Sequence, residues 1–356
     1  MLDAMVRCSR HRWTVLKLPP RRVERRLTSA ARWFAELLSR HPVRGVDVVF
    51  VSDAMALTDL LHYVPALLDV PAVAYFHDNH LPQPGVSGED ELGLINLQTA
   101  SVATEAWFNS TFHLKTFLAR AGAAAKRSND PAVHNLLSGL MRKLQVVHPP
   151  MDLALIQRVS AAYTGEHDPY MIFADLRGGG AGVLGEALRQ LTPTCEGIEL
   201  ASVGNGEIPA DGLLQRTIPG ADEIAQVHAM RKAGVVVGTR TDALYDPQAI
   251  WAMAVGCWPV LPAAGFYPEL VPESLHDACL YDGTANGLAE KLSAFWRRRD
   301  RAVGREMAKS LRSFDALTAC RDIDARLEKL AEHGTTLRPG VVGTLQLDLS
   351  PLELRV

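Results

Sequence analysis

Residues 72–82 read Ala72-Val73-Ala74-Tyr75-Phe76-His77-Asp78-Asn79-His80-Leu81-Pro82. Five uncharged residues rich in strand formers run without polar alternation, which predicts a short strand buried on both faces. Four hydrogen-bonding side chains and a proline follow at once. In open parallel sheets ligands bind just past the carboxyl ends of the strands, so His77, Asp78 and Asn79 are the first candidates for contact with a polar substrate. His77 and His80 lie three apart, but no third ligand stands nearby in sequence, and no metal is expected.

Working outward, further apolar runs at 13–18, 46–51, 106–108 and 145–147 predict strands separated by helical patterns, the signature of a parallel sheet with covering helices. His148-Pro149-Pro150 interrupts regular structure, and the alternation starts again. Strands are predicted at 170–174, 197–203, 233–238 and 258–261, with helices at 183–190, 225–232 and 247–255 and a long helical stretch over 288–332. The expectation is an α/β chain of two Rossmann-like domains facing a cleft. Residues 1–152 form the first domain, 153–333 the second, and 334–356 an irregular tail.

Composition agrees with this outline. A chain of 356 residues, 47% hydrophobic and 22% charged, divides naturally into two cores. No apolar run reaches the length of a membrane span, and the amino terminus lacks the pattern of a signal peptide, so a cytoplasmic location is expected. The five cysteines show no C-x-x-C spacing and read as buried thiols. Charge is uneven. Residues 1–44 hold eleven Lys or Arg, among them Arg21, Arg22, Arg25 and Arg26, against three Asp or Glu, a local balance of +8 in a chain whose net charge is −3. Such an arm suits a polyanion such as RNA, and it is equally the solvated face of a helix.

Three other clusters carry possible chemistry. Phe108-Asn109-Ser110-Thr111-Phe112-His113 sits where a strand gives way to a helix, so Asn109, Ser110 and His113 are candidate ligand contacts, with helix capping the alternative for Ser110. Asn96, on the preceding helical stretch, is a further candidate. Arg177-Gly178-Gly179-Gly180-Ala181-Gly182 joins a strand to a helix; its amides could cradle a diphosphate, with Arg177 adding a charge-assisted contact. Gly180, Gly182 and Gly185 also satisfy G-x-G-x-x-G with Glu207 downstream, so a dinucleotide, a sugar-nucleotide diphosphate and a ligand-free turn all stand at this point. The segment 239–267 supplies Asp242, Tyr245 and Gln248 as candidates to frame a nucleotide. Asp322 and Asp324 lie in a helical pattern and read as surface charge.

The stretches YFHDNHLPQP (75–84), LGLINLQTASVATEAWFNSTFH (92–113), AMAVGCWPVLPAAGFYPELVPESLH (252–276) and CLYD (279–282) resemble the tRNA-queuosine α-mannosyltransferase family, related to retaining GT-B glycosyltransferases. The resemblance implies a GT-B fold, GDP-mannose as donor substrate with no further cofactor, and queuosine in tRNA as acceptor. It implies that His77 contacts the donor sugar. It also implies three departures. The family's opening strand would precede residue 1, leaving the first domain without it. The stretch that carries donor-binding cations is replaced by residues 173–180, where Arg177 is the remaining cation. The two family glutamates expected eight positions apart align with Ala243 and Trp251. These departures keep open a catalytically impaired homologue that binds RNA, and a GT-B enzyme with another nucleotide-sugar and a small acceptor.

Overall fold

A computed structural model describes residues 1–18, 23–42, 44–53, 55–83, 91–128, 137, 139–163, 165–191, 197–204, 206, 208, 213–297 and 305–335. The chain divides into two compact units, Met1–Pro150 with Ala319–Val356, and Met151–Thr318.

The first unit holds a four-stranded parallel sheet in the order β1-β2-β3-β4: β1 Val49–Ser52, β2 Ala72–Phe76, β3 Glu105–Phe108 and β4 Leu144–Val146. Every residue of β2 is buried, and the strand period sorts its side chains between two cores. Ala72, Ala74 and Phe76 join Phe108 and Phe117 on one face, under the helices Leu57–Tyr63, Glu91–Val102 and Thr111–Ser128. Val73 and Tyr75 join Trp107, Met5, Ile323 and Leu327 on the other. The helix Ala316–Thr335 therefore supplies this second face from Cys320 onward, although the sequence placed residues 319–333 with the second domain.

The strand expected at 13–18 does not form. Those residues run without regular structure, and Trp13 packs edge-on against Phe50 of β1 (ring centroids 5.5 Å apart). Asp324, expected at the surface, is buried; it accepts the Ser9 hydroxyl (2.5 Å) and the Arg10 amide (2.9 Å). Arg10 adds a two-pronged pair with Glu328 (2.7 and 2.5 Å), so one cation of the basic arm is tied to the C-terminal helix.

The second unit holds a six-stranded parallel sheet in the order β10-β9-β8-β5-β6-β7. Its strands are β5 Asp168–Asp175, β6 Glu199–Val203, β7 Leu214–Ile218, β8 Ala233–Val237, β9 Trp258–Pro262 and β10 Leu280–Tyr281. β7 and β10 have no counterpart in the sequence reading: β7 is an edge strand whose residues are largely exposed, and β10 is two residues long. From the central β5 the chain builds outward to β6 and β7, then returns to the other side of β5 with β8. The switch point of this topology lies between β5 and β8, and a crevice opens at such a point beyond the strand ends. In the long helical stretch expected at 288–332 the described residues form Ala285–Arg297, Arg305–Ser310, a 3-10 turn Leu311–Phe314 and Ala316–Thr335, with a break at Asp315. At the break, Asp315 is extended and bridges Met151, whose amide donates to the Phe314 carbonyl and whose carbonyl accepts from Ala316 (both 2.8 Å).

Cys257, Cys279 and Cys320 are buried and Cys8 is half-buried; Cys195 and the tail from residue 336 lie outside the described residues. No helix among the described residues is long and apolar enough to cross a membrane.

Candidate active site

The carboxyl edge of the first sheet gathers one polar network. His77 follows β2, and Asn109 follows β3 one strand away, so the parallel register places them side by side. The Asn109 amide donates to the His77 carbonyl (3.4 Å), which turns its oxygen toward His77 Nδ1 at 3.0 Å. An oxygen there requires a proton on Nδ1, and a neutral imidazole then carries its lone pair on Nε2. Neutrality is favoured: burial pushes the His77 pKa down, partly opposed by Asp53 and by the bond to Asn109. Nε2 has no hydrogen-bond partner among the described residues and can accept from a hydroxyl. Tyr75 backs the ring, centroid to centroid 4.5 Å, and is itself fixed by its hydroxyl bond to the Val147 carbonyl (2.7 Å).

The rest of the loop is held from below. Asp78 is exposed, and its carboxylate accepts the Asn79 amide (2.7 Å). Asn79 is buried; its side-chain oxygen accepts the Leu81 amide (3.1 Å), while its Nδ2 has no partner among the described residues. Arg120, on the helix Thr111–Ser128, donates to the carbonyls of Asn79 (3.2 Å) and Leu81 (3.0 Å). His80 Nε2 lies 3.6 Å from the carboxylate of Asp53, the residue just past β1.

The other candidate ligand contacts of this unit, Asn96, Asn109, Ser110 and His113, bond into the loop. Asn96 is buried, donating to the Asp53 carbonyl (2.8 Å) and accepting from the His80 amide (3.2 Å). Ser110 caps the helix Thr111–Ser128, its hydroxyl accepting the His113 amide (3.0 Å), which is the capping alternative. His113 has no exposed surface; its Nε2 donates to the Asp78 carbonyl (3.2 Å), and burial pushes its pKa down to about 4. Asn109 clamps His77, and its own carbonyl accepts from His148 Nδ1 (3.0 Å). Arg25 and Arg26 fall in the helix Val23–Arg40; Arg21 and Arg22 lie outside the described residues. Sequence reasoning missed Asp53, Arg120 and His148. Asp53 and His148 were detectable as polar residues at strand ends, whereas Arg120 is brought in by its helix from 39 positions beyond Leu81.

On the second unit the glycine loop after β5 and the segment after β8 meet at the switch point. Gly179 and Gly180 adopt φ values of +99° and +86°, where a side chain is strained. A Cβ at Gly180 would stand 1.9 Å from the Thr239 hydroxyl, and one at Gly178 would stand 2.4 Å from Cδ of Arg240. Gly182 would meet nothing within 4 Å and needs no such freedom. Glu207, the acid in the dinucleotide reading, lies outside the described residues.

Arg177 is folded back onto Asp175. Its Nε and Nη2 donate to the carboxylate at 3.0 and 2.7 Å, and its backbone amide adds a bond at 3.0 Å. Asp242 is exposed, 3.9 Å from Arg240 Nε. Tyr245 is half-buried and packs against the core: its hydroxyl contacts the Met151 sulfur (3.1 Å) and its ring lies on Phe266 and Phe314. Gln248 is half-buried on the first turn of the helix Pro247–Ala254. That helix is capped by Asp246, which accepts the Ala249 amide (3.0 Å) and the Tyr267 hydroxyl (2.7 Å); burial raises its pKa. Ala243 is buried, and Trp251 packs against the unit's core. Among the described residues no group of three His, Cys, Asp or Glu is placed to hold a metal ion.

Known proteins share this fold. Burkholderia multivorans α,α-trehalose 6-phosphate synthase superposes with a TM-score of 0.63 at 15% identity, over 91% of this chain and 79% of that one. Anabaena Alr3699/HepE, solved in complex with UDP, gives 0.58 at 15% identity over 85% and 82%. Thermosynechococcus elongatus sucrose-phosphate synthase gives 0.62 at 12% over 90% and 82%. The tRNA-queuosine alpha-mannosyltransferase of Drosophila melanogaster is 24% identical over 307 residues, covering 80% of this chain and 79% of that protein. The fold is thus GT-B-like, and residues 1–151 match the family model described as tRNA-queuosine alpha-mannosyltransferase N-terminal.

Proposed function

We propose that the protein is a retaining glycosyltransferase that moves mannose from GDP-mannose to queuosine in tRNA, in the cytoplasm. The observation that carries this reading is His77: a neutral imidazole, clamped by Asn109, offers Nε2 at the carboxyl edge of the unit that matches the queuosine family. In the reaction the sugar would gain oxocarbenium character while charge accumulates on the departing diphosphate. His77 would hold a hydroxyl of the donor sugar. The exposed Asp78 carboxylate would face the developing positive charge, and Asn79 Nδ2 would offer a hydrogen bond. The glycine loop of the second unit would take the diphosphate. The basic arm would attract tRNA through its phosphates, a contribution that weakens as salt rises.

The test is transfer of radiolabelled mannose from GDP-mannose to tRNA that contains queuosine, with tRNA lacking the modification as control. Label confined to the modified tRNA supports the reading; no transfer to either, with the protein folded, sinks it. A second reading, an RNA-binding homologue with impaired transfer, is favoured by Arg177 being engaged by Asp175 and by Ala243 and Trp251 standing where the resemblance implies glutamates. It predicts tRNA binding with no transfer. A third, another nucleotide-sugar with a small acceptor, predicts hydrolysis or transfer with UDP-sugars, the class of ligand in the HepE structures.

A further inference from the structure

We infer that Arg240, rather than Arg177, is the cation that takes the donor diphosphate on the second unit; the inference rests on the nucleotide-sugar reading above. Two arginines flank the glycine loop, and their circumstances differ. Arg177 is chelated by its neighbour Asp175 through both Nε and Nη2, and its amide is bound by the same carboxylate. To reach a phosphate it would have to abandon those bonds.

Arg240 follows β8 and lies on the loop from across the switch point. Gly178 is what lets it do so, since a Cβ there would stand 2.4 Å from its Cδ and 2.8 Å from Nη1. The next residue back, Thr239, covers Gly180 in the same way. The nearest acid to Arg240 is Asp242 at 3.9 Å, beyond hydrogen-bond range and largely exposed, and Arg240 donates to no other described residue. Asp246 also faces this group, but its carboxylate is occupied by the Ala249 amide and the Tyr267 hydroxyl. The guanidinium therefore lies over the loop at Gly178 while its donors remain available. That combination suits a planar fork for two phosphate oxygens. The first turn of the helix Ala181–Leu191, whose N–H groups have no intrahelical partner, begins beside it. Arg240 stands on a different strand end from the cations that the family resemblance implies, after β8 instead of β5.

The test is calorimetry with GDP and with guanosine on the wild type, Arg240→Ala, Arg240→Lys and Arg177→Ala, each checked for an unchanged thermal melt. Arg240→Ala should weaken GDP roughly 10- to 100-fold, the range of a lost charge-assisted contact, and leave guanosine unchanged; Arg240→Lys should recover part of the loss. Arg177→Ala should stay within about threefold of wild type, as expected of an exposed, self-paired cation. GDP binding that survives Arg240→Ala, or falls further in Arg177→Ala, overturns the role of Arg240 and leaves the donor reading standing. A wild type that binds neither ligand overturns both.

Discussion

The carboxyl edges of the two sheets contrast in how their polar groups are held. On the first unit, His77, Asn79, Asn96, Asn109 and His113 bond to one another's loops and are mostly buried, so one imidazole is presented in one tautomer. On the second, the charged groups lie near the surface: Arg177 is paired with its neighbour Asp175, while Arg240 stands 3.9 Å from Asp242, too far for a hydrogen bond. The first edge is preorganised, its polar groups held by bonds within the loop. The second is a loop shaped by glycines in which Arg177 must leave Asp175 before it meets an anion. Preorganisation of this kind is what makes polar groups effective in a site, and reorganisation is what costs affinity.

The largest expected effect breaks the first edge. His77→Ala should lower transfer by on the order of 100-fold with the melt nearly unchanged, whereas His77→Gln, which keeps an acceptor, should lose less; kcat/KM on modified tRNA decides. The next sharpens the contrast through pH. His113 is neutral in the fold, with its pKa pushed down to about 4 from 6.5. The unfolded chain therefore binds more protons between those values, and stability falls as pH drops from about 6.5 toward 4, by on the order of 3 kcal/mol from this group. His77 is shifted in the same direction and adds to the loss. Urea melts across this range should show the slope, and His113→Gln should flatten it.

Two glycine substitutions test the second edge. Gly180→Ala forces a side chain into a positive φ and onto Thr239, which should cost about 1–3 kcal/mol. Removing the Thr239 side chain in the same background should restore part of it. Gly182→Ala places a methyl in open space on a helix and should stabilise by roughly 0.5–1 kcal/mol. Equal destabilisation by both would mean that the loop is built as a continuous glycine cradle, and the contrast drawn here would fail.

Much of the architecture was legible because buried parallel strands announce themselves. The run 72–76 was read with its observed bounds, and the strands around 106–108, 145–147, 170–174, 233–238 and 258–261 fell within a few residues of their places. Strands that are short or exposed left no such signal, as with Leu214–Ile218 and Leu280–Tyr281. Runs that look like strands were misleading where packing uses them otherwise, as with Trp13 against Phe50.

The sequence by itself determined that two parallel-sheet units exist, and that polar residues cluster past particular strand ends, because hydrophobic period and strand-end position are local properties. Only the tertiary structure decided what each of those residues does. Asn109 meets His77 because β2 and β3 are neighbours in register, Tyr245 turns inward to Met151, and Arg240 reaches the glycine loop because β8 returns beside β5. These outcomes depend on which strands adjoin and which carboxylate lies nearest, and a hydrogen bond formed across 30 or 60 positions of chain leaves no mark on either residue taken alone.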